Sequence, residues 1–205
     1  MDKLPTRLAV ITLTLAACLA CGKDDPTPIP VVSLSSGEAT VKGNVGGSSF
    51  TVGGVVANTN ATFLSNSPNV GFFGFSSFSL ACSSADARAH HKNSRTMSFL
   101  LSDTIGNGFG RPPKAPGTYT VRTFAALDPA PLQAAIGSYS VYDDGCQQTS
   151  VDFISGTVTL TRISGGYAGT FDVMSAANEH ITGAFDSVDC PRLDFTAGDG
   201  GSVCQ

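Results

Sequence analysis

Between residues 156 and 185 polar and apolar side chains alternate with a period of two, and that pattern fits only extended chain with one buried face. The run G-T-V-T-L-T-R-I at 156–163 sets Val158 and Leu160 against Thr157, Thr159 and Thr161. Ser164-Gly165-Gly166 follows as a turn, since glycine reaches the positive φ angles that tight hairpins demand. Tyr167, Phe171 and Val173 then share a face, and after a loop through Asn178 so do Ile181 and Phe185. These three segments predict a C-terminal three-stranded meander with Val158, Leu160, Phe171, Val173, Ile181 and Phe185 on its buried side.

The rest of the chain points the same way. Glycine occurs 23 times and glutamate only at positions 38 and 179, a composition poor for helices and rich in turn residues. Further strands are expected at 39–45, 50–56, 70–80, 96–101, 119–124 and 139–142, with one or two helical turns at 131–136. Nine short, closely spaced strands predict an all-β fold, an antiparallel β-sandwich or small β-barrel. G-G pairs recur at 46–47 and 165–166, which reads as two hairpins obeying the same turn rule.

The N-terminus has a different character. Lys3 and Arg7 precede an uncharged, mostly apolar run at 8–17, whose ten residues would span only about 15 Å as helix, half of a bilayer core. Leu15-Ala16-Ala17-Cys18 resembles the lipobox of bacterial lipoproteins: an aliphatic residue, two small residues and the cysteine to be acylated. Cys21 is the alternative acylation site. Cleavage before Cys18 leaves Cys21 as an odd thiol, whereas cleavage before Cys21 leaves the even set Cys82, Cys146, Cys190 and Cys204. The resemblance implies a signal peptide at 1–17, a lipidated cysteine, and a membrane held through its palmitate-type chains. That family retains proteins at the inner membrane when aspartate follows the cysteine. Leu19 or Gly22 stands there, which implies the outer membrane.

Residues 18–37 read as a tether, because Pro26, Pro28 and Pro30 favour extended backbone and withhold amide donors. Stretched fully, the 18 residues from Leu19 to Ser36 reach roughly 60 Å. A single β-rich domain is then expected over 38–205. Gly156 to Phe185, together with G-N-V-G-G-S-S-F-T at 43–51, is similar to small β-rich envelope lipoproteins of gliding soil bacteria, a group without an established activity to transfer.

Four domain cysteines in an exported protein predict two disulfides. Local loop closure favours Cys190–Cys204, leaving Cys82 with Cys146. Loss of residues 1–17, with Asp2, Lys3 and Arg7, moves the formal net charge from −4 to −5. A mildly acidic chain argues against nucleic acid as a partner.

Candidate sites are few. Phe72, Phe73, Phe75 and Phe78 crowd one predicted strand, with Phe73 and Phe75 on one face and Phe72, Phe78 and Leu80 on the other. Such a strand is either central core or the lining of an apolar ligand cavity. His90 and His91 lie in the one basic cluster, 88–95, but neighbours on extended chain point to opposite sides, so a solvated loop is the expected reading. Asp143-Asp144-Gly145, Asp194 and Asp199-Gly200 lack the ordered ligand loop of a calcium hand and read as turns. No catalytic motif, metal-ligand spacing or cofactor loop stands out, so no catalytic residue, metal or cofactor is assigned. The expectation is a non-catalytic envelope module that binds a protein, polymer or small molecule, with a passive surface-coat lipoprotein as runner-up and an enzyme third.

A mature lipoprotein carries at least two acyl chains, which make attachment stable where one would not. The protein from native membranes should therefore begin at Cys18, partition with detergent and show a lipid-sized mass excess. Cys18→Ser should remove all three properties. If only Cys21→Ser removes them, Cys21 is the site and the odd thiol disappears.

Overall fold

Four phenylalanine rings, each contributed by a different strand, are stacked across the interior of the molecule. Phe185 lies on Phe73 at 4.3 Å between centroids, Phe73 on Phe99 at 4.9 Å, and Phe99 on Phe153 at 5.1 Å, all with nearly parallel planes. Phe75 and Phe171 meet the stack at steeper angles. In the computed structural model residues 33–62, 69–80, 82, 90–103, 110–126, 132–191, 193 and 204 are described, and they contain no α-helix. The N-terminal expectations, from the signal peptide through Cys18 and Cys21 to most of the tether, lie outside them.

The strands are β1 (Glu38–Lys42), β2 (Asn44–Val45), β3 (Ser48–Ser49), β4 (Gly54–Ala61), β5 (Val70–Ser76), β6 (Arg95–Asp103), β7 (Gly117–Val121), β8 (Gln133–Tyr142), β9 (Gln148–Arg162), β10 (Ala168–Ser175), β11 (His180–Asp186) and β12 (Val188–Asp189). Ten of them form one sheet in the order β1-β11-β10-β9-β7-β8-β6-β5-β4-β12, with β8 also paired to β9. Only Ser187 separates β11 from β12, yet β11 pairs with β10 near one end of that order and β12 pairs with β4 at the other. One continuous run of chain thus serves both ends of the sheet, which curls into a barrel-like shape around the ring stack.

The all-β class and the C-terminal meander are as expected, and all six meander residues named above are buried. Three details differ. The sheet is mixed, because β7 runs parallel to β8 and β12 parallel to β4. The turns of helix expected at 131–136 are strand from Gln133 onward, as Ala134 and Ala135 are needed opposite Ser102 and Leu101; the short 3-10 turn lies earlier, at Phe124–Ala126. Finally, β9 begins at Gln148, not Gly156. A bulge hides this continuation. Phe153 and Val158 are both buried although their spacing is odd, and the pairing with β10 slips between Met174 and Ser175. The slip leaves Ile154 unpaired, and Gly156 follows it at φ 119°, where a Cβ would run into the Asp172 carbonyl.

Each end of the interior is closed by polar contacts. At one end the β2–β3 hairpin turns through Gly46 and Gly47, both left-handed, and buries Val45 and Phe50 in the core. The two glycine amides donate to the carboxylate of Glu179 at 3.3 and 2.7 Å. At the other end the buried Tyr119 hydroxyl donates to Asp103 at 3.1 Å and accepts from Gln133 at 3.4 Å, while the Tyr167 hydroxyl donates to the Thr59 carbonyl.

Phe73 touches both neighbours in the stack and is fully buried, so Phe73→Ala should cost about 3–5 kcal/mol, whereas Phe124→Ala, at a position 61 % exposed, should stay within about 0.5 kcal/mol. Urea denaturation midpoints compare the two. All four tyrosines have phenolic pKa values raised, chiefly by burial: Tyr139 is pushed up to about 12 with the Glu179 carboxylate adding to the effect, and Tyr119, Tyr142 and Tyr167 shift the same way. The unfolded chain would release these protons first, near pH ~10, so this stabilisation is complete below that pH and is lost as pH rises through it. An alkaline titration should show no phenolate absorbance at the ordinary tyrosine pKa, then cooperative ionisation together with unfolding.

Candidate functional site

The rings fill the interior, and on the outer face of the sheet the described residues leave an open space over β4, β5, β6, β8 and the start of β9. A groove of about 290 Å³ runs across these strands, close to the lower limit of small-molecule sites, about 300 Å³. Strand alternation builds its floor. With Phe73, Phe75, Met97, Phe99 and Tyr139 turned inward, the intervening residues face out. Gly74, Ser98 and Ser138 are aligned neighbours across β5, β6 and β8, and next to them run Ser76, Thr96, Ser140 and Ser150. The groove is deep where this row is small. The Phe72 ring leans over Gly74, where an added Cβ would come within 2.9 Å of it.

The two ends of the groove differ in chemistry. One is apolar, lined by Val56, Phe72, Phe78, Leu80 and Leu193. Val56, Leu193 and Cys190 form a small second core there, outside the barrel, with Leu80 packed against it. The other end is polar. Gln148 donates from Nε2 to the Ser140 hydroxyl at 2.8 Å and to Ser150 at 2.9 Å, and the two serine oxygens are 2.8 Å apart. Tyr142 joins them, its pKa raised chiefly by burial. The His90 ring lies 4.7 Å from the Tyr142 ring, and His91 stacks on Phe78 at 3.8 Å.

Both disulfides belong to this face, and the expected pairing was wrong. The bonds are Cys82–Cys190 and Cys146–Cys204. Local closure is outweighed by topology: the parallel pairing of β12 with β4, extended by the bond from the Cys190 amide to the Ala57 carbonyl, delivers Cys190 to the apolar end beside Cys82. Cys204 instead pairs beside His90, and Cys146 Sγ lies 3.5 Å from the His90 carbonyl oxygen. Closing loops with sequence separations of 108 and 58, each cross-link contributes about 4–5 kcal/mol in the chain-entropy model.

The four phenylalanines singled out from the sequence separate by face. Phe73 is core and lines nothing, which corrects its place in a ligand lining. Phe75 borders the groove, but its ring packs inside with Phe73, Phe99, Phe171 and Phe185. Phe72 and Phe78 are true wall residues. The histidines are not the freely solvated pair expected, since His90 and His91 are each half-buried against an aromatic ring. His180 lies apart from them, bonded to Asp172 at 2.8 Å on the exposed side of the meander. Asp143 is a turn residue, accepting from the Gly145 and Gln147 amides. Asp194, Asp199 and Gly200 lie outside the described residues. Among the described residues no cluster of three or more His, Cys, Asp or Glu is placed to hold a metal.

Sequence reading missed the polar end. Ser138, Ser140 and Tyr142 alternate with Tyr139 and Val141, and Gln148 and Ser150 with Thr149 and Val151, but the bulge at Ile154 separates the second set from the conspicuous part of β9. No family model, curated protein or solved structure matches the chain.

Proposed function

We propose that this chain is a lipid-anchored, extracytoplasmic binding module that performs no chemistry of its own and takes its ligand in the outer groove. The observation that carries the reading is the groove itself: a concave strip with an apolar wall, a hydroxyl-lined floor and a disulfide at each end. A surface serving only as a coat has no need of such a recess. The lipobox-like Leu15-Ala16-Ala17-Cys18 and the Pro-rich segment behind it supply the anchor and the reach. Two disulfides suit an oxidising compartment. The net charge keeps nucleic acid out of the partner list. The partner is then a small molecule or a segment of a polymer or protein narrow enough to enter the groove.

The chain has no tryptophan, so an uncharged environment-sensitive dye can report binding against a low background. It should bind with one-to-one stoichiometry. Ser98→Phe, which fills the groove floor, should abolish binding, and Thr170→Phe, on the exposed side of β10, should leave it unchanged. Binding that survives Ser98→Phe would remove the groove as the site and favour the passive surface-coat role.

A further inference from the structure

The groove has unsatisfied hydrogen-bonding capacity at the middle of its floor. At its polar end Ser140 and Ser150 are bonded to each other and both to Gln148. Ser98 and Ser138 are different. They are cross-strand partners, both half-buried at the middle of the floor, and neither side chain has a hydrogen-bond partner among the described residues. Each hydroxyl can donate one bond and accept two, so the pair offers a ligand two donors and several lone pairs side by side. To one side of this pair stand Val56, Phe72, Phe78 and Leu193, and to the other the serine–glutamine network.

Charge is equally informative. Among the described residues that line the groove there is no Asp, Glu, Lys or Arg, and the one imidazole, His90, stands at the polar end. An ionic head group placed there would lose hydration without meeting a counter-charge, a cost that hydroxyl groups avoid. On the reading of the groove as the ligand site, we infer that its ligand is an uncharged amphiphile. Its apolar chain or ring lies against Phe78 and Leu80, the half-buried apolar residues of the lining, and its hydroxylated head sits over Ser98 and Ser138. A neutral glycoside with an aliphatic or aromatic aglycone has this chemistry. The apolar end supplies the contact area, and the paired serines discriminate between heads, because a head that lacks hydroxyls leaves both of them buried and unpaired.

Three probes separate the elements of this inference: octyl glucoside below its micelle concentration, octyl sulfate with the same chain, and glucose with the head alone. Amide NMR on the purified protein follows each titration. Octyl glucoside should shift Val56, Ser98 and Ser138 saturably, and the other two should bind at least about tenfold more weakly. The double variant Ser98→Ala/Ser138→Ala should weaken octyl glucoside by about the same factor, with octyl sulfate unaffected and the spectrum otherwise native. Equal binding of octyl sulfate, or an unchanged double variant, would overturn the neutral-head assignment while leaving the groove as a ligand site. Shifts from none of the three probes, or shifts confined to other surfaces, would remove the groove reading and this inference with it.

Discussion

The stack of Phe185, Phe73, Phe99 and Phe153 is the contact on which the rest of the molecule depends. It joins β11, β5, β6 and β9, strands brought together from distant parts of the sequence, and draws the sheet round far enough for β12 to reach β4. Stacked rings at these separations gain about 0.5–1.5 kcal/mol per pair beyond the area they bury. Filling the interior decides where open space can lie. A barrel with small inward residues would leave a central cavity, but Tyr119, Tyr139 and Tyr167 occupy what the phenylalanines do not. The groove therefore lies on the outside of the wall.

On that outer face large side chains are absent where they would ordinarily cover a sheet. Phe72, Leu100 and Ile136 form one aligned row of bulky residues, and the next aligned row is Gly74, Ser98 and Ser138. The step in size between adjacent rows makes the depression, and the second small core at Val56, Cys190 and Leu193 gives it a wall. Neither element stands alone. Without the Cys82–Cys190 bond the small core would depend on three buried side chains, little apolar area to hold Cys190 and Leu193 against β4.

The fold was legible because alternation is a local signal. At Val158, Leu160, Phe171 and Val173 the inward positions can be read from a few residues. The same rule assigned Phe73 and Phe75 to one face and Phe72 and Phe78 to the other. What local pattern could not reveal was anything set by strand order. The parallel pairings, the disulfide partners and the alignment of Ser98 with Ser138 all depend on which strands become neighbours. A bulge also defeats simple alternation: counting by twos back from Val158 puts Phe153 on the wrong face, and with it Ser150 and Gln148.

That bulge connects the two faces of the protein. The extra residue Ile154, followed by Gly156 at positive φ, shifts the register of β9 so that Phe153 turns inward to complete the ring stack while Val158 and Leu160, beyond it, also point in. The shift simultaneously sets which residues of the first half of β9 face outward, and so places Ser150 and Gln148 against Ser140. A continuous strand could satisfy the stack or the meander but not both, since the two demand opposite parity. The polar end of the groove is thus a consequence of how the core is closed. A side chain at position 156 would strain the core and misplace the groove through the same few backbone atoms, because only glycine passes the Asp172 carbonyl at that φ.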